Sequence, residues 1–163
     1  MSDVLVDGAP GVRTFTPVQL LRLASLFARD PELPDHPTTR PDDDPLGRSW
    51  AQLALSPHLQ VWLIRWPTGT STGWHDHGGS AGAFTVVSGE LTERTWTGGV
   101  AEQRLRAGDD RAFGASYRHD VLNLGTQDAL SVHAYAPSLA QMTHYDLVAG
   151  RLLPAGVEQR AAW

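Results

Sequence analysis

Between Arg48 and Gly150 turn residues break the chain at near-regular intervals, and this spacing constrains the fold more than any other feature. The breaks are Ser56-Pro57, Pro67-Thr68-Gly69, Gly78-Gly79, Ser88-Gly89, Gly98-Gly99, Gly108-Asp109, Gly125-Thr126 and Ala149-Gly150. Short apolar runs of strand length lie between them. Such punctuation leaves no room for a long helix and predicts an all-β sandwich or barrel over residues 48–150. No internal repeat interrupts the pattern.

Upstream, the texture differs. Thr16 can cap a helix, with Pro17 at its first position and Gln19 completing a capping box. Phe15 and Leu20 are placed for a hydrophobic staple. Val18, Leu21, Ala24 and Ser25 recur at helical spacing, and Asp30-Pro31 stops the run, so one helix is expected over 14–30. Five prolines (Pro31, Pro34, Pro37, Pro41, Pro45) and the Asp42-Asp43-Asp44 run follow. These predict a solvated loop over 31–47.

At 163 residues the chain is expected to form one domain, residues 1–163. It contains no cysteine, and all 13 basic residues are arginine. The first absence excludes disulfides, cysteine-ligated metals and a cysteine nucleophile. The second excludes Schiff-base chemistry and a Walker-type phosphate loop. A net charge of -5 argues against a nucleic-acid partner. The first fifteen residues carry Asp3, Asp7 and Arg13 and lack the apolar stretch of a signal peptide. Apolar runs stay far below the roughly 20 residues of a bilayer span. The expectation is a cytoplasmic protein with no membrane partner, with a monomer favoured as its state.

Seven histidines remain to be explained. His75 and His77 are two apart in Trp74-His75-Asp76-His77. On a strand both imidazoles share a face while Asp76 points away. With a third imidazole they can form a facial nitrogen set that leaves metal positions open. Surface histidine pairs are also common, so the pair alone decides little. A second row, Ser131, His133 and Tyr135, shares one strand face, with Val132 and Ala134 on the other. A polar row facing a dry interior is costly unless hydrogen-bonded. The bland reading is a satisfied polar patch. His36, His58 and His144 read as structural or exposed.

The spacing Gly69…His75-x-His77…Gly89 resembles the first motif of the cupin superfamily, and Gly108…His119…Asn123 resembles the second. The acidic ligand of the first motif is absent, since Ala81 and Gly82 occupy its positions. Gly114 and Ser116 also stand where the second motif usually has proline and glycine. The segments Ile64-Arg65-Trp66-Pro67…His75-Asp76-His77-Gly78-Gly79-Ser80, Gly89-Glu90-Leu91-Thr92-Glu93 and Ser131-Val132-His133-Ala134-Tyr135-Ala136-Pro137 resemble the bacterial cysteine dioxygenases, cupin thiol dioxygenases. The resemblance covers about Arg48 to Leu139. It implies a small cupin-type jelly-roll barrel and Fe(2+) held by His75, His77 and His119. It also implies that Ser131 and His133 orient the hydroxyl of Tyr135 toward bound substrate. Gly82 stands where animal members carry the cysteine of a tyrosine thioether, so Tyr135 is a free phenol.

The implied reaction is oxidation of L-cysteine by O2 to cysteine sulfinic acid. The alternatives are a dioxygenase of another small thiol, such as 3-mercaptopropionate, a non-catalytic cupin holding a metal or small ligand, or a different metal-dependent cupin enzyme. An arginine fork suits a substrate carboxylate. Arg48 falls near the family's carboxylate-binding arginine, with a one-residue offset from Trp66; a surface arginine opening a strand reads the same way. Trp66 and Ile64 share the more apolar face of their strand with Trp62 and are expected in the pocket wall, although core packing predicts the same burial. That alternation puts Arg65 on the opposite face.

Overall fold

The computed structural model describes residues 14–40 and 47–159. The residues before Thr14 and the Asp42-Asp43-Asp44 run lie outside this range. Helix α1 spans Pro17–Phe27, and the capping box is complete: the Thr16 side chain accepts from the Gln19 amide while the Gln19 side chain accepts from the Thr16 amide. The helix is shorter than the expected 14–30, and its inward face also differs. Leu20 and Ala24 are buried whereas Val18 is exposed. Phe15 packs on the cluster containing Leu20, as a staple requires. Within the proline-rich stretch Leu33–Asp35 forms a single 3-10 turn, and Thr39 bridges to Trp50.

Eleven strands follow: β1 (Ser49–Ser56), β2 (Leu59–Trp66), β3 (Trp74–His75), β4 (Ala81–Ser88), β5 (Glu90–Trp96), β6 (Val100–Arg106), β7 (Asp110–Phe113), β8 (His119–Leu122), β9 (Ala129–Ala136), β10 (Gln141–Val148) and β11 (Arg151–Gln159). Every turn predicted from the sequence falls at a junction between strands, with Ser56 and Ser88 as the last residues of β1 and β4. The last strand carries the sheet past residue 150, where the barrel was expected to end. One sheet has the order β1-β2-β9-β4-β7 and the other β11-β10-β3-β8-β5-β6. All pairings are antiparallel. This is the expected cupin jelly roll with an N-terminal helix.

The two sheets face each other, and α1 covers the outside of the five-stranded one. That sheet is therefore buried on both sides, and every residue of β9 is buried. Period two sorts its side chains. Leu130, Val132 and Ala134 join Val61, Leu63 and Ala83 beneath Leu20 and Ala24 of the helix. Trp66, Phe84, Val86 and Tyr135 instead point between the sheets. Arg65 lies on the outer face, as its alternation with Ile64 and Trp66 requires, and donates to the Pro34 carbonyl at 2.9 Å. No helix among the described residues is long and apolar enough to cross a membrane.

Candidate metal centre and its cavity

His75 and His119 are direct cross-strand partners on β3 and β8, which brings their rings to 4.7 Å between centroids. His77 joins them from beyond the end of β3. The strand expected to carry both histidines stops at His75, and a turn supplies the rest. Asp76 fixes that turn: its Oδ1 accepts from the amides of Gly78 and Thr143, and its Oδ2 accepts from the Tyr145 hydroxyl. Gly78 has φ 57, and a Cβ there would lie 2.2 Å from the Gln141 carbonyl oxygen. Only glycine fits.

The ligand atoms of His75, His77 and His119 lie within 4.8 Å of one another, and all three residues are buried. Gly73 O accepts from His75 Nδ1 at 2.9 Å, and Glu93 Oε1 accepts from His119 Nδ1 at 2.8 Å. With the proton on Nδ1, the neutral form of either ring carries a bare lone pair on Nε2. His119 Nε2 stands 3.3 Å from His77 Nε2. Imidazole nitrogens about 2.1 Å from one shared ion are spaced about 3.0–3.4 Å apart, so the His77–His119 pair has the spacing of two ligands on one divalent metal, and His75 lies within reach of it. Burial, and then the charge of neighbouring histidines, holds both His75 and His77 well below the usual imidazole range. They remain neutral donors. His77 is further gripped between the rings of Phe113 and Tyr135, at 4.7 and 5.3 Å.

Glu93 was not singled out from the sequence. It is 2% exposed, and three groups converge on it: His119 Nδ1, the Tyr117 hydroxyl at 2.8 Å and Arg111 Nε at 2.9 Å. Burial alone would raise its carboxyl, but the bonds from His119 and Tyr117 and the charge of Arg111 outweigh it and hold it below its ordinary value. It therefore stays ionised and keeps the His119 ring oriented. Such partners are often worth about 10–100-fold in metal affinity or activity. The carboxylate missing from the first cupin motif is not replaced as a ligand here; Glu93 acts one bond further out.

A cavity of about 110 Å³ opens beside the histidines, lined by Arg48, Trp50, Trp62, Ile64, His75, Tyr135, Met142 and His144 among others. Arg48 lies at this cavity, its guanidinium over the rings of Trp50 and Trp66 at 5.8 and 5.5 Å. Ile64 lines the cavity as expected. Trp66 does not: it is fully buried behind the wall, and its indole Nε1 donates to Ser131 Oγ at 2.8 Å. His144, read as structural or exposed, is instead part of the cavity wall. It pairs with His75 across β10 and β3, and its Nε2 contacts Glu158 Oε2 at 2.7 Å. Neither Glu158, on the additional strand β11, nor His144 belongs to a sequence motif, so no pattern marked them.

Ser131, His133 and Tyr135 form one hydrogen-bonded row. Ser131 Oγ lies 2.8 Å from His133 Nε2, and His133 Nδ1 lies 3.2 Å from the Tyr135 hydroxyl. Phe84 stacks on His133 at 4.9 Å and 12°. Burial pushes His133 down to about 3 and raises the Tyr135 phenol, so both are neutral near pH 7. At Gly82 a Cβ would meet Phe113 at 2.5 Å and Tyr135 at 2.9 Å. Phe113 fills the space beside Tyr135 that a larger residue would need. Asn123, in register in the second motif, is structural: its Nδ2 donates to the carbonyls of Trp66 and Gln127.

Residues 42–148 match the family described as Cysteine dioxygenase type I. No curated protein is detectably similar in sequence. Solved structures share the fold. KdgF from Halomonas sp. aligns with a TM-score of 0.54 at 20% identity, covering 63% of this chain and 87% of its own. An oxalate oxidase aligns at 0.56 and 15% identity, covering 65% of this chain and 59% of its own. The Schizosaccharomyces pombe Cnp3 cupin domain aligns at 0.55 and 12% identity, covering 65% and 67%. At these identities the likeness concerns the fold alone.

Proposed function

Since this chain belongs to the cysteine dioxygenase type I family, we propose that it is an iron-dependent thiol dioxygenase that converts L-cysteine and O2 to cysteine sulfinic acid. The observation that carries this reading is the meeting of three kinds of group at one cavity: His75 of the three-histidine cluster, an arginine fork, and a buried phenol. Fe(2+) would be held by His75, His77 and His119. When bound, it takes up the substrate sulfur as thiolate and activates O2, chemistry that no side chain of this protein supplies.

The chain's own residues bind and orient. Arg48, held over Trp50 and Trp66, presents its planar fork to the substrate carboxylate. Ile64, Trp62, Leu139 and Met142 line the cavity and exclude water from the reacting sulfur. Tyr135 reaches the cavity as a neutral phenol, able to donate a hydrogen bond to the bound substrate while His133 steadies it from behind. Holding thiol and oxygen in contact turns the encounter of two molecules into an effectively unimolecular step. Both oxygen atoms end on sulfur, so one O2 is consumed for each thiol oxidised.

A panel of small thiols with the iron(II)-loaded protein, followed by oxygen uptake and product analysis, tests the reading. Cysteine is expected to turn over fastest, with one O2 consumed per sulfinate formed. Faster turnover of 3-mercaptopropionate would move the assignment to an amine-free thiol. Stoichiometric iron with no thiol-dependent uptake would make the protein a binding cupin. Tyr135→Phe is expected to slow turnover with metal content unchanged; unaltered kinetics would remove the phenol from the reaction.

A further inference from the structure

We propose that Trp66 is a positioning residue that sets the direction of the Ser131–His133–Tyr135 relay, so that Tyr135 serves as a hydrogen-bond donor to whatever occupies the cavity. The argument starts from the one member of the chain with no choice. An indole N–H donates and cannot accept. Ser131 Oγ, 2.8 Å from Trp66 Nε1, is therefore an acceptor on that side. Ser131 is fully buried, and the only other hydrogen-bond partner of its hydroxyl among the described residues is His133 Nε2.

The single hydroxyl proton of Ser131 must then go to His133 Nε2, because a buried donor left unmet is costly. His133 is fixed as the tautomer with its proton on Nδ1. That proton donates to the Tyr135 oxygen 3.2 Å away. The phenol's own proton is not consumed within the row, and the cavity is where it is left to point. Run in the opposite direction, the row would use the Tyr135 proton on His133 and strand the Ser131 proton in the core.

Trp66 thus serves both sides of the site. Its ring face carries Arg48, and its N–H orders the protons behind Tyr135. The two roles are separable, because Trp66→Phe keeps an aromatic face and removes the donor. The space vacated by the indole nitrogen would admit water, which accepts as well as donates, and both directions of the row become available.

The test uses 15N-histidine-labelled protein carrying Zn(II), so that two-bond nitrogen–proton correlations can be read without paramagnetic loss. The His133 signals are assigned by their disappearance in His133→Gln. In the wild type the His133 proton is expected on Nδ1 alone, and in Trp66→Phe a second form protonated at Nε2 is expected to appear. A wild-type proton on Nε2, or an unchanged Nδ1 form in Trp66→Phe, would overturn the proposal. If Trp66→Phe does not fold, Ser131→Ala carries the same readout. A kinetic arm rests on the dioxygenase reading: Trp66→Phe should lower kcat about 10–100-fold with little change in KM. A raised KM at unchanged kcat would mean that Trp66 acts only beneath Arg48, and would overturn the relay role. The tautomer found as expected in a protein that oxidises no thiol would leave the relay standing and remove the dioxygenase reading alone.

Discussion

Strand β9 buries all eight of its residues, yet its two faces solve burial in opposite ways. Toward α1 the side chains of Leu130, Val132 and Ala134 need only fill space. Between the sheets Ser131, His133 and Tyr135 must each find a partner, and they find one another and Trp66. On the first face stability scales with apolar area, and one contact is much like another. On the second, the position of each proton matters, and removing one partner exposes the cost of the rest. A strand with one dry face for packing and one for chemistry lets the scaffold be stiff where the site must be exact in geometry.

Two substitutions separate the faces most strongly. His119→Ala removes one of the three proposed ligands and the cross-strand partner of His75; metal content is expected to fall to background by elemental analysis, with the fold retained by circular dichroism. Stoichiometric metal in that variant would break the assignment of the centre. Leu20→Ala empties a fully buried site between the helix and the outer sheet face. It is expected to cost about 2–5 kcal/mol in urea unfolding while metal content stays as in the wild type. Loss of metal together with stability would show that the two faces are not independent.

How far this division was legible depended on whether a residue's task follows from period or from proximity. The turn pairs and the alternation of β9 separated Ser131, His133 and Tyr135 from Val132 and Ala134 without any coordinates. The alternation of β2 likewise placed Arg65 outside. Proximity was hidden. Glu93 meets His119 because β5 pairs with β8, a contact between residues 26 apart that no local pattern marks. His144 reaches the cavity through β10, which lies beside β3 for reasons of sheet order. Trp66 was legible as inward-facing, but whether it walled the pocket or stood behind it depended on where the Arg48 segment closes. His77 converges with His75 although the strand ends between them, because Asp76 and Gly78 shape a turn the period-two argument did not contain.

Glu93 sharpens the comparison at a smaller scale. Glu93→Gln keeps a side chain of the same size and an oxygen that can accept from His119, but removes the charge that Arg111 and Tyr117 address. Metal affinity is expected to fall about tenfold by competition with a chelator, with little effect on the helix-facing core. Unchanged affinity would mean that the His119 ring is held by packing against Phe113 and Tyr117 and not by the carboxylate.

The last expected effect is one of pH, and it belongs to the polar face alone. His133 takes a second proton only near pH 3 when folded, whereas an unfolded histidine does so near about 6.5. Between those values unfolding binds a proton that the folded chain refuses. Stability therefore falls as the pH drops from about 6.5 toward 3, by about 1.4 kcal/mol per pH unit for this one group. His75 and His77, also held low by burial, add to the same slope in metal-free protein. Urea midpoints of the metal-free protein between pH 7 and 5 measure it. His133→Gln is expected to remove one proton's share of the slope, while Leu20→Ala lowers the curve equally at every pH. Parallel curves for both variants would mean that His133 carries no such penalty, and that the two faces of β9 differ in shape but not in charge.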